Sequence, residues 1–339
     1  MQPQAKPAVH GVVHAATRDG YVLPVIDVTH SRFAVPPDPE SVRLLYEAFV
    51  KQERMRRLIP KFLMRMMLRS AARRSLLVKA LFSNDANFLD GISTYMMKLG
   101  EANLPPPFDT PMDRRFAASP HVGLLRLRMQ QTARLVADGL VGELARAGEA
   151  PLHLINIGGG PAIDSMNALI LLNRHHPELL KRSIVIHVLD GDQAGPFFGA
   201  NALAALKAEG APLSGLRIAF EYKAYDWNEP APLAQLVREL TSEGGIVAAS
   251  SEGALFEYGS DEAIVANLKA LLAEGKGARL VAGSVTCGDA VRRRMIADTQ
   301  FKLIPRGIEG FAPLAARARA RIVQIESAGL SDQVLLRAA

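Results

Sequence analysis

The stretch LHLINIGGGPAID, from Leu152 to Asp164, decides the fold of this 339-residue chain. Its first six residues form an apolar run of the kind found in buried parallel strands. Three consecutive glycines follow, Gly158, Gly159 and Gly160, and the next segment, AIDSMNALILLNRHH, has the pattern of a helix. Strand, glycine turn and helix in this order favour a ligand at the turn, because glycine lets a ligand approach the backbone where a Cβ would block it.

Strands and helices alternate throughout the sequence that follows this stretch. The pattern predicts strands near 152–157, 183–189, 216–221, 245–250 and 279–284, and helices near 162–175, 200–208, 232–241 and 261–273. The last segments, ARIVQIESAG and QVLLRAA, supply a final antiparallel pair. This alternation predicts an α/β fold with a doubly wound, Rossmann-like sheet that is mostly parallel and ends in antiparallel strands.

The N-terminal half has a different organisation. Residues 11–35 read as two extended runs around Asp19-Gly20, a dipeptide typical of hairpin turns, and the prolines that follow mark a break. Residues 121–147 read as a long helix within a mainly helical segment. We therefore predict an extended arm over 1–37, a helical lid or substrate domain over 38–149, and a cofactor-binding domain over 150–339.

Composition narrows the classes of protein to consider. No apolar run reaches the ~18 residues of a membrane helix, and the N-terminus lacks the apolar segment of a signal peptide. A single cysteine, Cys287, fits a reducing compartment, so we expect a soluble, cytoplasmic protein. The eight histidines show no metal-binding spacing, so no metal is predicted; His153 and His187 fall in strands, where we expect them to be packed.

The basic charge is concentrated in the N-terminal half. Residues 1–150 carry a net charge of +7 and residues 151–339 a net charge of −1. Lys61, Arg65, Arg69 and Arg73 recur every four residues and so form one stripe on a helix. We interpret this stripe as a solvated face and predict neither a nucleic-acid nor a membrane partner. A protein of another class, which binds nucleic acid or a membrane surface through residues 51–79, is the alternative.

The glycine turn departs from the dinucleotide-binding fingerprint. Pro161 and Ala162 follow Gly160, so the third glycine of that fingerprint is missing. Asp164 falls in the first turn of the helix, where its carboxylate would repel a docked pyrophosphate. S-adenosylmethionine has no phosphate and carries a cationic sulfonium, so these residues favour it over NAD.

Polar and aromatic side chains follow the other predicted strands. The carboxyl ends of parallel strands meet at the ligand-binding edge of an open sheet. The candidate residues at this edge are Asp190 and Asp192 for ribose hydroxyls, Asp226 and Trp227 for adenine, and Ser251 and Glu252 after the fourth strand. Together with the glycines they predict an adenosyl site.

From about residue 150 the chain resembles the class I S-adenosylmethionine-dependent methyltransferases. The resemblance implies that Gly158 and Gly160 hold the amino-acid end of the cofactor, Asp190 the ribose and Asp226 the adenine. S-adenosylhomocysteine would be the product. In that family an acid usually precedes the first glycine by two residues, where this chain has Asn156. The interval to Asp190 is also long, so Asp192 is an alternative ribose ligand.

Two segments, 88–113 and 250–264, also resemble the bacterial methionine S-methyltransferases with an N-terminal helical lid. That resemblance implies S-methylation of methionine, or a related thioether amino acid, to form S-methylmethionine. A thioether has no proton to lose, so the transfer needs no general base. The residues expected to line the acceptor pocket are Asp90, Tyr95, Glu252 and Tyr258. O- or N-methylation of a secondary metabolite is the alternative, and we expect a homodimer.

Overall fold

The computed structural model describes residues 11–83, 91–272, 279–297 and 301–339. The strands are β1 (His14–Ala16), β2 (Val22–Pro24), β3 (Leu152–Ile157), β4 (Ile184–Asp190), β5 (Ile218–Ala224), β6 (Ile246–Ser251), β7 (Arg279–Thr286), β8 (Ala320–Ser327) and β9 (Ser331–Ala338). The helices are α1 (Pro39–Arg57), α2 (Lys61–Ala72), α3 (Leu76–Ser83), α4 (Gly91–Lys98), α5 (Pro111–Ala117), α6 (Pro120–Arg146), α7 (Ile163–His175), α8 (Ala194–Leu206), α9 (Ala231–Ser242), α10 (Leu255–Tyr258), α11 (Asp261–Leu272), α12 (Ala290–Ala297) and α13 (Gly307–Arg317).

Seven of the described strands form the main sheet in the order β5-β4-β3-β6-β7-β9-β8. Neighbouring strands from β5 to β7 are parallel, and β9 pairs antiparallel with both β7 and β8. The predicted doubly wound, Rossmann-like sheet with an antiparallel end is therefore confirmed. The chain moves outward from β3 to β5 and then returns to β6 on the other side, so the β3–β6 junction is the switch point where open sheets bind ligands.

Strand β3 is buried along its whole length because both faces of the sheet are covered. Leu152 and Leu154 join one apolar core with α6 and α7, while Ile155 and Ile157 join the other with α9 and α11. Each of these four aliphatic side chains contributes about 1.5–3 kcal/mol by leaving water. This two-sided burial explains why the strand reads as a continuous apolar run rather than an alternating one.

The N-terminal hairpin forms as the Asp-Gly signal predicts. Strands β1 and β2 pair antiparallel, with His14 opposite Pro24, and Gly20 in the turn has a φ of +83°. Helix α6 packs against β6, β7, β9 and α7, so it covers one face of the sheet. A Cβ on Gly139 would lie 3.1 Å from Leu280 and Leu335, so this glycine allows α6 to approach the strands closely.

Helix α8 begins six residues before its predicted start, at Ala194. The carboxylate of Asp192 accepts hydrogen bonds from the backbone N–H groups of Ala194 (3.0 Å) and Gly195 (3.4 Å), which satisfies the first turn. No helix in the described ranges is both long and apolar enough to cross a membrane.

Candidate functional site

The glycine turn adopts a backbone that suits only residues without a side chain. Gly158 and Gly160 have φ values of +64° and +55°, a region that other L-residues rarely adopt. A Cβ on Gly159 would overlap the amide oxygen of Asn156. All three glycines are therefore required by the turn that joins β3 to α7.

Three glycines from separate parts of the chain meet at this turn. A Cβ on Gly91, the first residue of α4, would lie 3.0 Å from Gly160 Cα, and a Cβ on Gly195 would lie 2.7 Å from the same atom. Helix α4 therefore rests directly on the glycine turn. The N-terminal half of the chain and the sheet edge are thus in backbone contact at the predicted cofactor site.

Asp190 lies at the end of β4 and faces the glycine turn. Its Oδ2 accepts a hydrogen bond from the Gly160 N–H at 2.8 Å, and its Oδ1 accepts one from the Asp192 N–H at 2.9 Å. Burial raises the pKa of the Asp190 carboxyl. The carboxylate of Asp192 accepts from the first N–H groups of α8 instead, so of the two acids Asp190 is the one that is hydrogen-bonded directly to the glycine turn.

Trp227 and Asp226 follow β5 at the same edge of the sheet. The indole ring lies against the glycine turn, because a Cβ on Gly158 would be 3.0 Å from Trp227 Cζ3. Asn267 donates a hydrogen bond to the Trp227 carbonyl at 2.7 Å and so fixes the loop. Asp226 is exposed and accepts hydrogen bonds from the backbone and side chain of Asn228 (2.9 and 2.8 Å).

Beneath the glycine turn, Asp164 supplies the carboxylate that position 156 lacks. Asn156 Nδ2 donates to Asp164 Oδ1 at 2.6 Å and to Ser250 Oγ at 3.1 Å. Burial raises the pKa of the Asp164 carboxyl. Asp164 Oδ2 and Asn156 Oδ1 are buried acceptors with no hydrogen-bond donor. Buried acceptors of this kind are costly unless a donor reaches them.

Ser251 has a different role from the predicted cofactor contact. Its hydroxyl donates to the Ile157 carbonyl at 3.0 Å and accepts from the Leu255 N–H at 3.0 Å. The side chain is buried and joins the ends of β3 and β6 to the start of α10. The proton of the Ser251 hydroxyl is thus engaged within the protein, where its hydrogen bond holds the ends of two strands together.

A buried network of four charged side chains lies next to Ser251. Glu252 accepts from Lys98 and, at 2.5 Å, from Arg128 Nε. Arg128 also donates to both carboxylate oxygens of Glu257, at 3.2 and 3.1 Å. Burial would raise the pKa of Glu252, but Arg128 and Lys98 outweigh it and hold that pKa below its usual value. The network joins α4 and α6 to the end of β6.

Sequence reasoning missed Lys98 and Arg128. A signal was present in α6, where Leu124, Arg128 and Leu135 share the face that packs inward, so a charged residue occupies a core position. A charge at such a position requires a partner. Which carboxylate it meets depends on the fold, since Arg128 and Glu252 are 124 positions apart.

Tyr95, another residue expected to line the acceptor pocket, is engaged elsewhere. The Tyr95 hydroxyl donates to the Pro24 carbonyl (2.7 Å) and accepts from the Ile26 N–H (2.9 Å), so it fastens α4 to the hairpin instead. Burial raises the pKa of both Tyr95 and Tyr258. Asp90 lies outside the described residues. The predicted pocket of free acids and aromatics is therefore not assembled by Tyr95 and Glu252.

The packed histidines are placed as expected. His153 and His187 are buried on β3 and β4, with His153 Nδ1 3.1 Å from His187 Nε2. His187 Nδ1 lies 3.1 Å from a carboxylate oxygen of Glu221. Burial lowers the pKa of His153 to about 4, so its ring is neutral at physiological pH.

Comparisons with known proteins find similar folds among the solved structures. No family model matches the chain, and no curated protein matches it. A possible exported protein from Bordetella parapertussis shares 15% identity and a TM-score of 0.51, over 89% of this chain and 99% of that one. Human N-acetylserotonin methyltransferase, in complex with S-adenosylmethionine, shares 13% identity and a TM-score of 0.37, over 64% and 56% of the chains. The mitomycin 7-O-methyltransferase MmcR shares 15% identity and a TM-score of 0.40, over 68% and 58%. The chain thus spans under two thirds of either methyltransferase, and the likeness at these identities is one of fold.

Proposed function

We propose that this protein is an enzyme that transfers a methyl group from S-adenosylmethionine to a small molecule and releases S-adenosylhomocysteine. The observation that carries the proposal is the glycine turn at the switch point of the sheet, bounded by Asp190 on one side and Trp227 on the other. This arrangement supports an adenosyl site at the ends of β3, β4 and β5. The proposal rests on the geometry of the strand ends rather than on the distant structural likenesses.

The residues present fit this cofactor better than one with a phosphate. A phosphate at the start of α7 would meet the buried Asp164 carboxylate. The cofactor carries an ammonium group and a sulfonium, and Asp164 Oδ2 is an acceptor that lacks a donor. In the proposed arrangement the backbone of Gly158 and Gly160 holds the amino-acid end, Asp190 accepts from the ribose, and Trp227 stacks on the adenine.

When bound, S-adenosylmethionine supplies a methyl group on a cationic sulfur. The chain's own residues align the two reactants and exclude water, which are the main requirements of an in-line displacement. The buried network of Lys98, Arg128, Glu252 and Glu257 holds the helices that cover the site. We assign this network a positioning role, because its acids are already paired with cations.

For the acceptor, we favour an oxygen or nitrogen nucleophile over the thioether of methionine. An amino-acid substrate needs a carboxylate for its ammonium group, and Glu252 is neutralised by two cations. Glu257 is neutralised by Arg128 in the same way. Neither Glu252, the one predicted pocket acid among the described residues, nor its neighbour Glu257 is free for this purpose. Methionine remains the second candidate, since Asp90 lies outside the described part of the chain.

Calorimetry with S-adenosylmethionine and S-adenosylhomocysteine tests the cofactor site. We expect binding by the unmodified protein and a loss of about tenfold or more in Asp190→Asn, because the neutral amide is a weaker acceptor. Glu209→Gln, a similar change in an exposed turn, is the matched control. Absence of heat with both forms of the cofactor would overturn the proposal.

An acceptor panel tests the reaction. The purified protein is incubated with S-adenosylmethionine and with phenols, carboxylic acids, amines or methionine, and S-adenosylhomocysteine is measured by mass spectrometry. Product formation with hydroxyl or amine acceptors supports the favoured assignment. S-adenosylhomocysteine formed with methionine alone identifies the thioether acceptor instead. Light scattering on the same sample tests the expected homodimer.

A further inference from the structure

The end of α1 and the whole of α2 expose an unusual group of large apolar side chains. Leu58 is 76% exposed and Phe62 is 74% exposed, and Met55, Met66 and Met67 are also exposed. Surface helices normally turn such side chains towards the core. We call this surface, formed by residues 54–74, the α2 face. Large apolar side chains that a helix exposes in such number mark a candidate interaction site.

The same surface is strongly cationic. Residues 54–74 contain eight lysines and arginines and no acidic residue. Arg54, Arg57, Arg69, Arg73 and Arg74 are exposed, whereas the side chains of Lys61 and Arg65 lie outside those described. Glu53, just before the segment, pairs with Arg56 at 3.4 Å. The five exposed arginines lie beside the exposed apolar side chains, and residues 54–74 contain no anion.

Helix geometry places the two kinds of side chain side by side. Phe62, Met66, Arg69 and Arg73 follow one another at intervals of four, three and four residues, so they lie along one stripe of α2 and its C-terminal end. All four are exposed. A helix that presents aromatic and aliphatic tips among arginines is suited to a membrane interface, where the tips enter the acyl boundary and the guanidinium groups reach the headgroups.

We propose that the α2 face docks on the surface of an anionic phospholipid membrane, with α2 lying in the plane of the interface. Charge complementarity selects anionic headgroups. Nucleic acid is bound by aromatic side chains that stack on bases and by cations that contact phosphates. Neither mode uses exposed aliphatic side chains, so these favour a membrane as the partner. Phe62 is the one aromatic residue on the α2 face. The proposal departs from the solvated face predicted for the basic stripe.

The α2 face is connected to the glycine turn through neighbouring helices. Helix α3 packs against both α2 and α4, and Gly91 at the start of α4 contacts Gly160. Docking would thus hold the lid side of the molecule next to the bilayer. The proposal itself does not depend on methyl transfer, because it rests on exposure and charge alone.

Co-sedimentation with vesicles tests the proposal. The full chain is mixed with vesicles of phosphatidylcholine alone or with added phosphatidylglycerol. We expect binding to the anionic vesicles only, weakened by high salt because surface charge is screened. The variant Arg69→Glu/Arg73→Glu should bind at least about 25-fold more weakly, at about fivefold for each lost charge. The variant Leu58→Ser/Phe62→Ser should bind about tenfold or more weakly, because two apolar side chains no longer enter the interface.

Two variants elsewhere on the surface serve as matched controls. Phe197→Ser removes a 47%-exposed aromatic from α8, and Arg238→Glu reverses an exposed charge on α9; both should bind vesicles normally. Thermal melts establish that every variant is folded. No binding of the unmodified chain to anionic vesicles would overturn the proposal. So would equal losses in the control variants, or a gel shift with duplex DNA in the absence of vesicle binding.

Discussion

Removing the charge of Glu252 should destabilise the protein severely. The ion-paired network contains two cations, Lys98 and Arg128, and two anions, Glu252 and Glu257, so the charges of these four side chains cancel. The side chains of Lys98 and Glu252 are each only 5% exposed. Glu252→Gln leaves one buried positive charge in excess and replaces two charged contacts with weaker ones.

Breaking a buried ion pair by removing one partner costs about 3–5 kcal/mol. If the unfolding free energy falls by about 3 kcal/mol per molar urea, this loss lowers the urea concentration at the unfolding midpoint by about 1 M or more. The assay is urea unfolding followed by circular dichroism. Glu262→Gln is the control, because that glutamate is 79% exposed and lies 4.0 Å from Arg317; its effect should stay below about 1 kcal/mol.

A double variant separates charge balance from simple loss of contacts. Lys98→Met/Glu252→Gln restores neutrality, because the Arg128–Glu257 pair remains. We expect the double variant to recover about half or more of the stability lost in Glu252→Gln, since no uncompensated charge stays buried. A double variant as unstable as the sum of the two single variants would refute the reasoning.

Three further predictions concern the hairpin contact, the buried histidine and the glycine turn. Tyr95→Phe should lower the unfolding free energy by about 1–3 kcal/mol, because it leaves the buried Ile26 N–H without an acceptor. The urea midpoint should fall while S-adenosylhomocysteine formation per folded molecule stays constant. A selective loss of turnover would contradict this. Since burial lowers the pKa of His153 to about 4, its contribution to stability is complete above pH ~6.5 and is lost as the pH falls through about 4. Between these two pH values the wild-type protein should therefore lose on the order of 3 kcal/mol of unfolding free energy through His153, and His153→Gln should remove this loss. Urea unfolding at several pH values measures it, and an unchanged pH dependence would contradict the assignment. Gly160→Ala and Gly210→Ala both place a Cβ at positive φ, at +55° and +76°, and should lose about 1–2 kcal/mol. Only Gly160→Ala, whose Cβ would lie 3.0 Å from Gly91 Cα, should also weaken cofactor binding in calorimetry, and equal binding by the two variants would contradict the placement of the site.

The sheet could be predicted from sequence because its signals are local. Strand β3 has the predicted bounds, and α7 begins one residue after its predicted start, because burial on both faces and the glycine turn are encoded within one short stretch. The same holds for the hairpin, where Asp19-Gly20 specifies the turn. The start of α8 differs from its predicted position because its first turn is stabilised by Asp192, a side chain that precedes the helix.

The candidate site could be predicted only in part, because its chemistry depends on contacts between distant residues. Asp190 and Trp227 follow strands, so their approach to the glycine turn follows from topology. The pairing of Glu252 with Lys98, 154 positions away, has no local signal, so the glutamate reads as a free acid in the sequence. Tyr95 reads as a pocket aromatic for the same reason, although its hydroxyl is bound to the hairpin backbone.

The meeting point of Gly91, Gly160 and Gly195 also constrains how this protein can change over evolutionary time. Each position lies in a different segment, yet a methyl group at any one of them would press on the backbone of another. Alanine at one site could be accommodated only if the segments moved apart, which would separate α4 from the turn. Homologues that keep this close arrangement should therefore retain all three glycines together, and those that lose one should have a displaced α4.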